Sequence, residues 1–232
     1  MGVPVTPVDP HLPTVTAPPS PAATSFDPGA DARAELDRQV TAYVELGIPA
    51  LLGVTTEVFR ASLTSLALGG PTPPATVDGD AVPFVLVLPG VDVNDLAPAM
   101  RRGAKLGVSV IDRVEAPTYR AIPGIDVPAE PYLLWGIDTG SEFCGVTPEA
   151  ALATVTGRGR TPLTLGEGVA LAVVRPDMLR PNKCFSLMGS RTGTNQRVPA
   201  VWISERRAKL GWCWDRNPHT WLGSASAQRR AV

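Results

Sequence analysis

The stretch AVWISERRAKLGWCW, residues 200–214, contains two short apolar runs, AVWIS and LGWCW, separated by the charged segment ERRAK. Valine, isoleucine and tryptophan are enriched in β-strands, and a short polar break between two such runs is typical of a turn. A third run, CFSLM at residues 184–188, precedes them and is followed by the turn-rich stretch GSRTGTNQRVP. Three strands in succession, joined by turns, predict a C-terminal antiparallel meander.

Apolar runs farther upstream predict additional strands. FVLVL at residues 84–88 is apolar throughout, which is typical of a strand covered on both faces. Residues 107–111 and YLLWGI at residues 132–137 are predicted as two more strands. Because helix-like spacing separates the first two of these runs, residues 83–111 are interpreted as one β-α-β unit.

Helix signals alternate with these strands. Apolar residues recur at helical spacing, and N-cap residues or prolines mark where each helix begins. The predicted helices run from the N-cap Asp31 to Gly47, from residue 56 to residue 66, from Pro148 to Gly157, and onward from a capping box formed by Thr164 and Glu167. The predicted fold class is therefore α+β, with a mixed sheet, packed helices and a C-terminal antiparallel meander.

The sequence divides into an arm and a body. Residues 1–30 contain eight prolines, which fix φ and remove backbone donors, so we expect a disordered Pro-rich arm. Residues 31–232 are predicted to form a single α+β domain. Within that domain, residues 31–70 are the helical N-terminal part and residues 83–232 are the sheet-containing body.

Composition restricts the cellular setting. Apolar residues make up 44% of the 232-residue chain, whereas no apolar run reaches the roughly 18 residues that span a bilayer. The N-terminus lacks a basic segment followed by an apolar one, so no secretory signal is expected. Three widely spaced cysteines without a C-x-x-C pair argue against a disulfide framework. We therefore expect a cytoplasmic protein with reduced thiols and no membrane partner.

Charge is distributed unevenly along the chain. Residues 1–155 hold 8 Lys/Arg and 18 Asp/Glu, whereas residues 156–232 hold 13 Lys/Arg and 4 Asp/Glu. The two segments therefore carry net charges of −10 and +9. Such asymmetry predicts either an anionic partner for the basic segment or ion pairs between the two segments in the folded chain.

Three chemically suitable side chains lie close together after the last strand of the meander. Asn217-Pro218 predicts a turn that folds His219 back toward Cys213 and Asp215. Thiol, imidazole and carboxylate are the parts of a nucleophilic site, in which the base deprotonates the thiol and the acid orients the base. Cys213, His219 and Asp215 are thus candidate catalytic residues. The alternatives are a cysteine buried for packing and a histidine that makes one structural hydrogen bond.

A zinc site formed by Cys144, Cys184, Cys213 and His219 is a further hypothesis, because all four are acceptable zinc ligands. The four residues come singly from separate stretches, without the paired spacing of structural zinc motifs. No metal ligands are therefore assigned, and the sequence does not predict a cofactor.

Aromatic and cationic side chains around the meander are candidate ligand contacts. Strand alternation places Trp212 and Trp214 on one face and Cys213 on the other. A pocket in which an aromatic wall meets arginines suits a small-molecule or anionic ligand. The candidates for such a pocket are Trp212, Trp214, Trp221, Arg158, Arg160, Arg191, Arg206 and Lys209. Of these, Trp214, Trp221, Arg158, Arg160 and Arg191 are predicted to contact the ligand.

The predicted function is small-molecule or anion binding in a pocket beside the basic, Trp-rich meander, with enzymatic activity left open. A non-catalytic interaction protein that uses the Pro-rich arm or the acidic and basic segments is the first alternative. Single-stranded nucleic-acid binding is the second, since aromatics interleaved with cations stack on bases. A pI near 6.1 and the absence of a nucleic-acid motif argue against a dedicated nucleic-acid binder. The oligomeric state is not predicted.

Four stretches of the C-terminal half resemble an actinobacterial protein family of unknown function. They are GRTPLTLGEG (159–168), NKCFSLMGSR (182–191), PAVWIS (199–204) and KLGWCWDRNPHTWLGSAS (209–226). The resemblance covers roughly residues 34–230 and implies a soluble bacterial protein, without implying a reaction or a cofactor. Relatives often carry cysteine where this chain has Thr192 and Ala227, so the resemblance supports no site built from those two thiols.

Overall fold

The computed structural model of the chain describes residues 17–69 and 79–232. Its α-helices are α1 (Pro21–Thr24), α2 (Ala32–Glu45), α3 (Ile48–Leu51), α4 (Thr56–Ser62), α5 (Val93–Leu96), α6 (Pro148–Gly157) and α7 (Leu165–Val174). Short 3₁₀ helices cover Ala97–Ala99, Ala116–Thr118, Ser141–Phe143 and Pro176–Met178.

The strands form two five-stranded sheets and a two-stranded ribbon within the described ranges. They are β1 (Ala81–Val87), β2 (Val108–Ser109), β3 (Tyr119–Ala121), β4 (Tyr132–Asp138), β5 (Thr161–Pro162), β6 (Cys184–Ser186), β7 (Ser190–Thr192), β8 (Arg197–Ser204), β9 (Arg207–Trp214), β10 (Leu222–Ser224), β11 (Ser226–Ala227) and β12 (Arg229–Ala231).

The first sheet is built around β1 and β4. Its order is β1-β4-β11-β5, and β12 also pairs with β4. The two long strands are antiparallel, from Ala81 opposite Asp138 to Val87 opposite Tyr132. Both are buried along nearly their whole length, as expected for apolar runs covered on both faces.

The second sheet contains the predicted meander. Its order is β10-β6-β8-β9-β2, and β6, β8 and β9 are antiparallel neighbours. Along the chain β7 interrupts the meander and pairs with β3. Because β10 and β2 join the edges in parallel orientation, this sheet is mixed. The α+β fold class is confirmed, with two large sheets instead of one.

Helix α7 lies between the two sheets. It packs against β1 of the first sheet and β8 of the second, and its residues are buried at every position except Gly166. Apart from Glu167 the helix has no charged or polar side chain, and such a helix is expected in an enclosed place. At Gly168 an added Cβ would lie 2.1 Å from Leu187 Cδ2, so the glycine allows the helix to approach the segment after β6.

The predictions made from helix caps are confirmed. Asp31 caps α2, Pro148 begins α6, and the Thr164 N–H donates to the Glu167 carboxylate at 2.7 Å in the capping box of α7. The helix predicted over residues 56–66 is present as α4 but ends earlier, at Ser62. Among the described residues, no helix has the length and apolar character required to cross a bilayer.

The β-α-β interpretation of residues 83–111 is wrong. β1 belongs to the first sheet, whereas β2 pairs in parallel with β9 at the edge of the second. Only α5 and one 3₁₀ helix lie between them. The local spacing of apolar residues predicts whether a segment is a helix or a strand. It does not predict which sheet a strand joins.

The prediction that residues 1–30 are disordered is wrong for residues 17–30. Ser20 caps α1, and its hydroxyl donates to the Glu45 carboxylate in α2 at 2.7 Å. Phe26 packs under the Arg175 guanidinium, with 3.5 Å from Cζ to the ring centroid. Pro21 lies in the first helical turn, where a missing N–H costs no hydrogen bond. Residues 1–16 lie outside the described residues.

Candidate functional site

The predicted catalytic residues do not assemble into a nucleophilic site. Cys213 is buried, and burial raises its pKa to about 12 despite the nearby positive charge of Arg191. The Asp215 carboxylate accepts a hydrogen bond from Arg191 Nη2 at 2.9 Å. The His219 imidazole packs against Trp221, with ring centroids 5.0 Å apart. Cys213 therefore holds little thiolate at neutral pH, and the carboxylate that would orient a base is paired with an arginine.

The turn before His219 forms earlier than predicted. The Asn217 N–H donates to the Trp214 carbonyl at 3.1 Å, which places Asp215 and Arg216 at the centre of the turn. The His219 carbonyl accepts from the Gly145 N–H at 2.9 Å. The segment after β9 is thus anchored through its backbone.

The four residues of the zinc hypothesis are not brought together. In residues 17–69 and 79–232, which include all four, no group of three or more His, Cys, Asp or Glu is arranged to hold a metal ion. The Cys144 thiol donates to the Asn182 carbonyl, and the Cys184 thiol donates to the Arg180 carbonyl. All three cysteines are free.

The arginines selected from the sequence are engaged within the protein. Arg160 Nη2 donates to the Gly136 carbonyl at 2.8 Å, and burial lowers the pKa of this guanidinium. Arg158 forms an exposed ion pair with Glu142 at 2.6 Å. With Arg191 also paired, none of the three offers a free guanidinium for a ligand.

The tryptophans form two separate groups. Trp212 and Trp214 share one face of β9, with ring centroids 5.0 Å apart, and Trp214 is 47% exposed. Arg197 lies 4.2 Å above the Trp212 ring. Trp221 instead contacts Trp202, at 6.5 Å between centroids. The predicted alternation along β9 is present, but the predicted wall of Trp214 and Trp221 is not formed.

A cavity of about 520 Å³ opens at the N-terminus of α7. Apolar side chains from the end of β1 and from α5 form much of its wall. Thr164–Glu167 and Ser190, which belong to two of the stretches that carry the family resemblance, line it as well.

The polar groups beneath this α7 cavity satisfy one another. The Glu167 carboxylate accepts from Tyr132 Oη at 2.8 Å and from Arg230 Nε at 2.6 Å. The Ser190 hydroxyl accepts from the Leu165 N–H at 2.9 Å. A fully buried carboxylate with this many partners is held by the fold, so it offers little to a ligand.

A second concave region, here termed the basic groove, lies beside the turn between β8 and β9. Its volume is about 680 Å³. Four of its lining residues are cationic and one is acidic. The lining residues are Arg102, Gly103, Ala104, Lys105, Pro176, Asp177, Leu179, Arg180, Pro181 and Arg206.

Two tight turns hold three of the four cations of the basic groove. Glu205 and Arg206 form the two-residue turn between β8 and β9, with φ of 53° and 64°. Arg102 and Lys105 close the other turn by exchanging backbone hydrogen bonds of 3.1 and 3.2 Å. Lys105 Nζ donates to the Glu205 carbonyl at 2.7 Å, which ties the two turns together.

Part of the positive charge in the basic groove is not compensated. The Asp177 carboxylate accepts two hydrogen bonds from Arg175, at 2.9 and 2.6 Å, and is therefore already neutralised. The guanidinium groups of Arg102 and Arg206 have no partner among residues 17–69 and 79–232.

Arg180 is fixed at the edge of the basic groove by Asp80. Partial burial raises the pKa of Asp80, but hydrogen bonds from Ser141 and Thr139 and the charge of Arg180 outweigh it, so the pKa lies below its ordinary value. The carboxylate is thus ionised at neutral pH and holds the guanidinium in place.

Ion pairs join the acidic and basic segments of the chain. They are Asp80–Arg180, Glu115–Arg197, Glu142–Arg158 and Glu149–Arg216. Internal neutralisation therefore accounts for part of the charge asymmetry. Arg102 and Arg206 take part in none of these ion pairs, so their positive charge is not neutralised in this way.

Of the four cations that line the basic groove, Arg206 is among the candidate pocket residues that the sequence indicates, whereas Arg102, Lys105 and Arg180 are not. The available signal was local, because RRGAK (101–105) and ERR (205–207) each place cations around a tight turn. Their convergence joins segments 100 residues apart, and no local pattern reports such a contact.

Comparison with known proteins identifies a family. A family model described as "Family of unknown function (DUF5701)" matches residues 42–232. No curated protein and no solved structure matches the chain. The matched range includes both large sheets, α7 and every residue that lines the basic groove. The chain belongs to DUF5701, a family of unknown function.

Proposed function

We propose that this protein binds small phosphate-like anions in the basic groove. The observation that carries the proposal is the convergence of Arg102, Lys105 and Arg206 on one cavity, in which two guanidinium groups lack a partner among the described residues. Guanidinium groups bind phosphate oxygens through paired, charge-assisted hydrogen bonds, and a lysine adds a point charge. A volume of about 680 Å³ lies within the usual range for small-molecule sites.

The basic groove is a better anion site than the α7 cavity. The charged groups beneath the α7 cavity, Glu167 and Arg230, already pair with each other. In the groove, by contrast, Asp177 is neutralised by Arg175, whereas Arg102 and Arg206 form no ion pair among the described residues. The anionic ligand expected beside the meander would therefore contact Arg102, Lys105 and Arg206 in the basic groove.

Exposed cations make the proposed binding sensitive to salt. Lys105 and Arg206 are exposed and Arg102 is half-buried. Charges in contact with water are screened at high ionic strength, so we expect affinity for a polyvalent anion to fall between about 50 and 300 mM salt.

Isothermal titration with inorganic tripolyphosphate tests the proposal. Arg206→Glu is expected to weaken binding at least about tenfold at 50 mM salt, because it replaces an attractive charge with a repulsive one. The matched control is Arg33→Glu, the same charge change at an exposed residue of the first turn of α2. The control is expected to bind within about twofold of the parent chain.

Two results would contradict the proposal. One is the absence of binding by the parent chain at about 50 mM salt, where electrostatic attraction is strongest. The other is equal weakening in Arg206→Glu and Arg33→Glu, which would indicate attraction to the net charge of the chain and no defined site.

The surface formed by Trp212, Trp214 and Arg197 supports the alternative of single-stranded nucleic-acid binding. A half-exposed indole can stack on a base. It is the weaker candidate, because Arg197 already pairs with Glu115 at 2.7 Å. Interaction with a protein partner through the charged segments or the N-terminal arm likewise stays a prediction.

We also propose a cytoplasmic setting. The three cysteines are free, and two of them, Cys184 and Cys213, are buried. Free thiols persist in reducing compartments, whereas oxidising compartments favour disulfides. This supports the setting expected from cysteine spacing.

A further inference from the structure

A third cavity, here termed the apolar recess, adjoins the basic groove. Its volume is about 470 Å³, and it lies between the N-terminal segment, the end of α2 and the end of α7. Arg102, Gly103, Pro176 and Asp177 line both the recess and the groove. The two cavities are therefore adjacent and share one wall.

The walls of the apolar recess are chemically unlike those of the groove. Ala23, Leu46, Ala99 and Val173 supply an apolar surface away from the shared residues. Two polar side chains that line the recess are engaged within the protein: the Ser20 hydroxyl donates to the Glu45 carboxylate at 2.7 Å, and Arg101 Nη2 donates to the Ala17 carbonyl. The recess therefore offers apolar contact beside Arg101 and Arg102, whereas four cations line the groove.

We infer that the ligand of this protein is an amphipathic organic phosphate, with its anionic head in the basic groove and its apolar body in the apolar recess. This inference rests on the proposed anion-binding function. A ligand that consisted of the anionic head alone would leave water in contact with the apolar walls of the recess. An apolar body displaces that water and gains the free energy of burial. The charges of Arg102 and Arg206 set the orientation of such a ligand.

Three probes distinguish binding in the basic groove from binding in the apolar recess. They are inorganic phosphate, octyl phosphate below its critical micelle concentration, and octyl glucoside, which has the same chain with a neutral head. Isothermal titration is expected to show octyl phosphate binding at least about tenfold more tightly than either other probe, because only octyl phosphate satisfies both cavities.

Variants assign each half of the ligand to its cavity. Thr24 is exposed and lines the apolar recess, so Thr24→Trp places a large ring over the recess without removing a buried side chain. It should weaken octyl phosphate about tenfold and leave inorganic phosphate within about twofold. The matched control is Thr154→Trp on the exposed face of α6, which should change neither affinity. Arg206→Glu should weaken both phosphate probes.

The outcomes distinguish this inference from the proposed function. Equal affinity for octyl phosphate and inorganic phosphate, with both weakened by Arg206→Glu, would overturn the amphipathic ligand and leave anion binding intact. Octyl glucoside binding as tightly as octyl phosphate would also overturn it. Binding of phosphatidate vesicles without binding of octyl phosphate would indicate a membrane surface instead. No binding of either phosphate probe would overturn both proposals.

Discussion

Glu205 and Arg206 occupy the central positions of a two-residue hairpin turn in which both φ values are positive. Turns of this kind favour Asn-Gly, because asparagine tolerates the left-handed region and glycine has no Cβ. Larger side chains in sparsely populated backbone regions cost on the order of 1 kcal/mol or more each. The turn thus places the Arg206 side chain at a position where it lowers the stability of the hairpin. Such a cost is expected where a side chain is needed for binding.

Replacing this turn with its most favourable sequence should separate stability from binding. We expect the double variant Glu205→Asn, Arg206→Gly to be about 1 kcal/mol more stable toward urea and to bind tripolyphosphate several-fold more weakly. The control Glu205→Asn alone retains the Arg206 guanidinium and should keep or improve affinity. A double variant that binds as tightly as the parent chain would show that Arg206 contributes nothing to the groove.

α1 and the residues after it attach the N-terminal segment, residues 17–30, to the rest of the protein. Two guanidinium groups lie over the Phe26 ring, with distances from Cζ to the ring centroid of 3.5 Å for Arg175 and 5.9 Å for Arg38. Arg175 is buried and has an Nη1 without a hydrogen-bond partner among the described residues, so the aromatic face is a significant part of its environment. The N-terminal segment therefore contributes to stability.

Removing this ring should measure that contribution. We expect Phe26→Ala to lower the free energy of unfolding by about 1–2 kcal/mol in urea denaturation, since a half-buried ring and a cation–π contact are lost. Phe26→Tyr keeps the ring and should differ little from the parent chain. An unchanged stability in Phe26→Ala would mean that residues 17–30 do not support the body.

The elements that could be predicted are those whose signals are local. Asp31, Pro148 and the Thr164–Glu167 capping box specify helix starts within one turn, and alternation specifies the faces of β9. The eight prolines of residues 1–30 predict a disordered arm, although a first-turn proline such as Pro21 is compatible with a helix. The sheet that accepts β2 and the partners of the candidate site residues depend on long-range contacts, which spacing does not encode.

At the scale of the whole molecule, the unequal distribution of charge is partly neutralised by folding. Among the residues that the structure describes, four ion pairs connect the acidic segment to the basic one. The basic groove collects cations from both segments, Arg102 and Lys105 from the first and Arg180 and Arg206 from the second. The site is therefore a property of the folded chain, because neither segment contains it alone.

NMR mapping of a bound anion shows directly whether the basic groove is the anion site. During titration with tripolyphosphate at about 50 mM salt, we expect the largest backbone amide shift changes at residues 102–105 and 205–207, because these two turns face the ligand. Amides of Thr164–Glu167 beside the α7 cavity and of Trp212–Trp214 serve as internal references and should change little. Largest changes at either reference group, or no localised changes at all, would contradict an anion site in the basic groove.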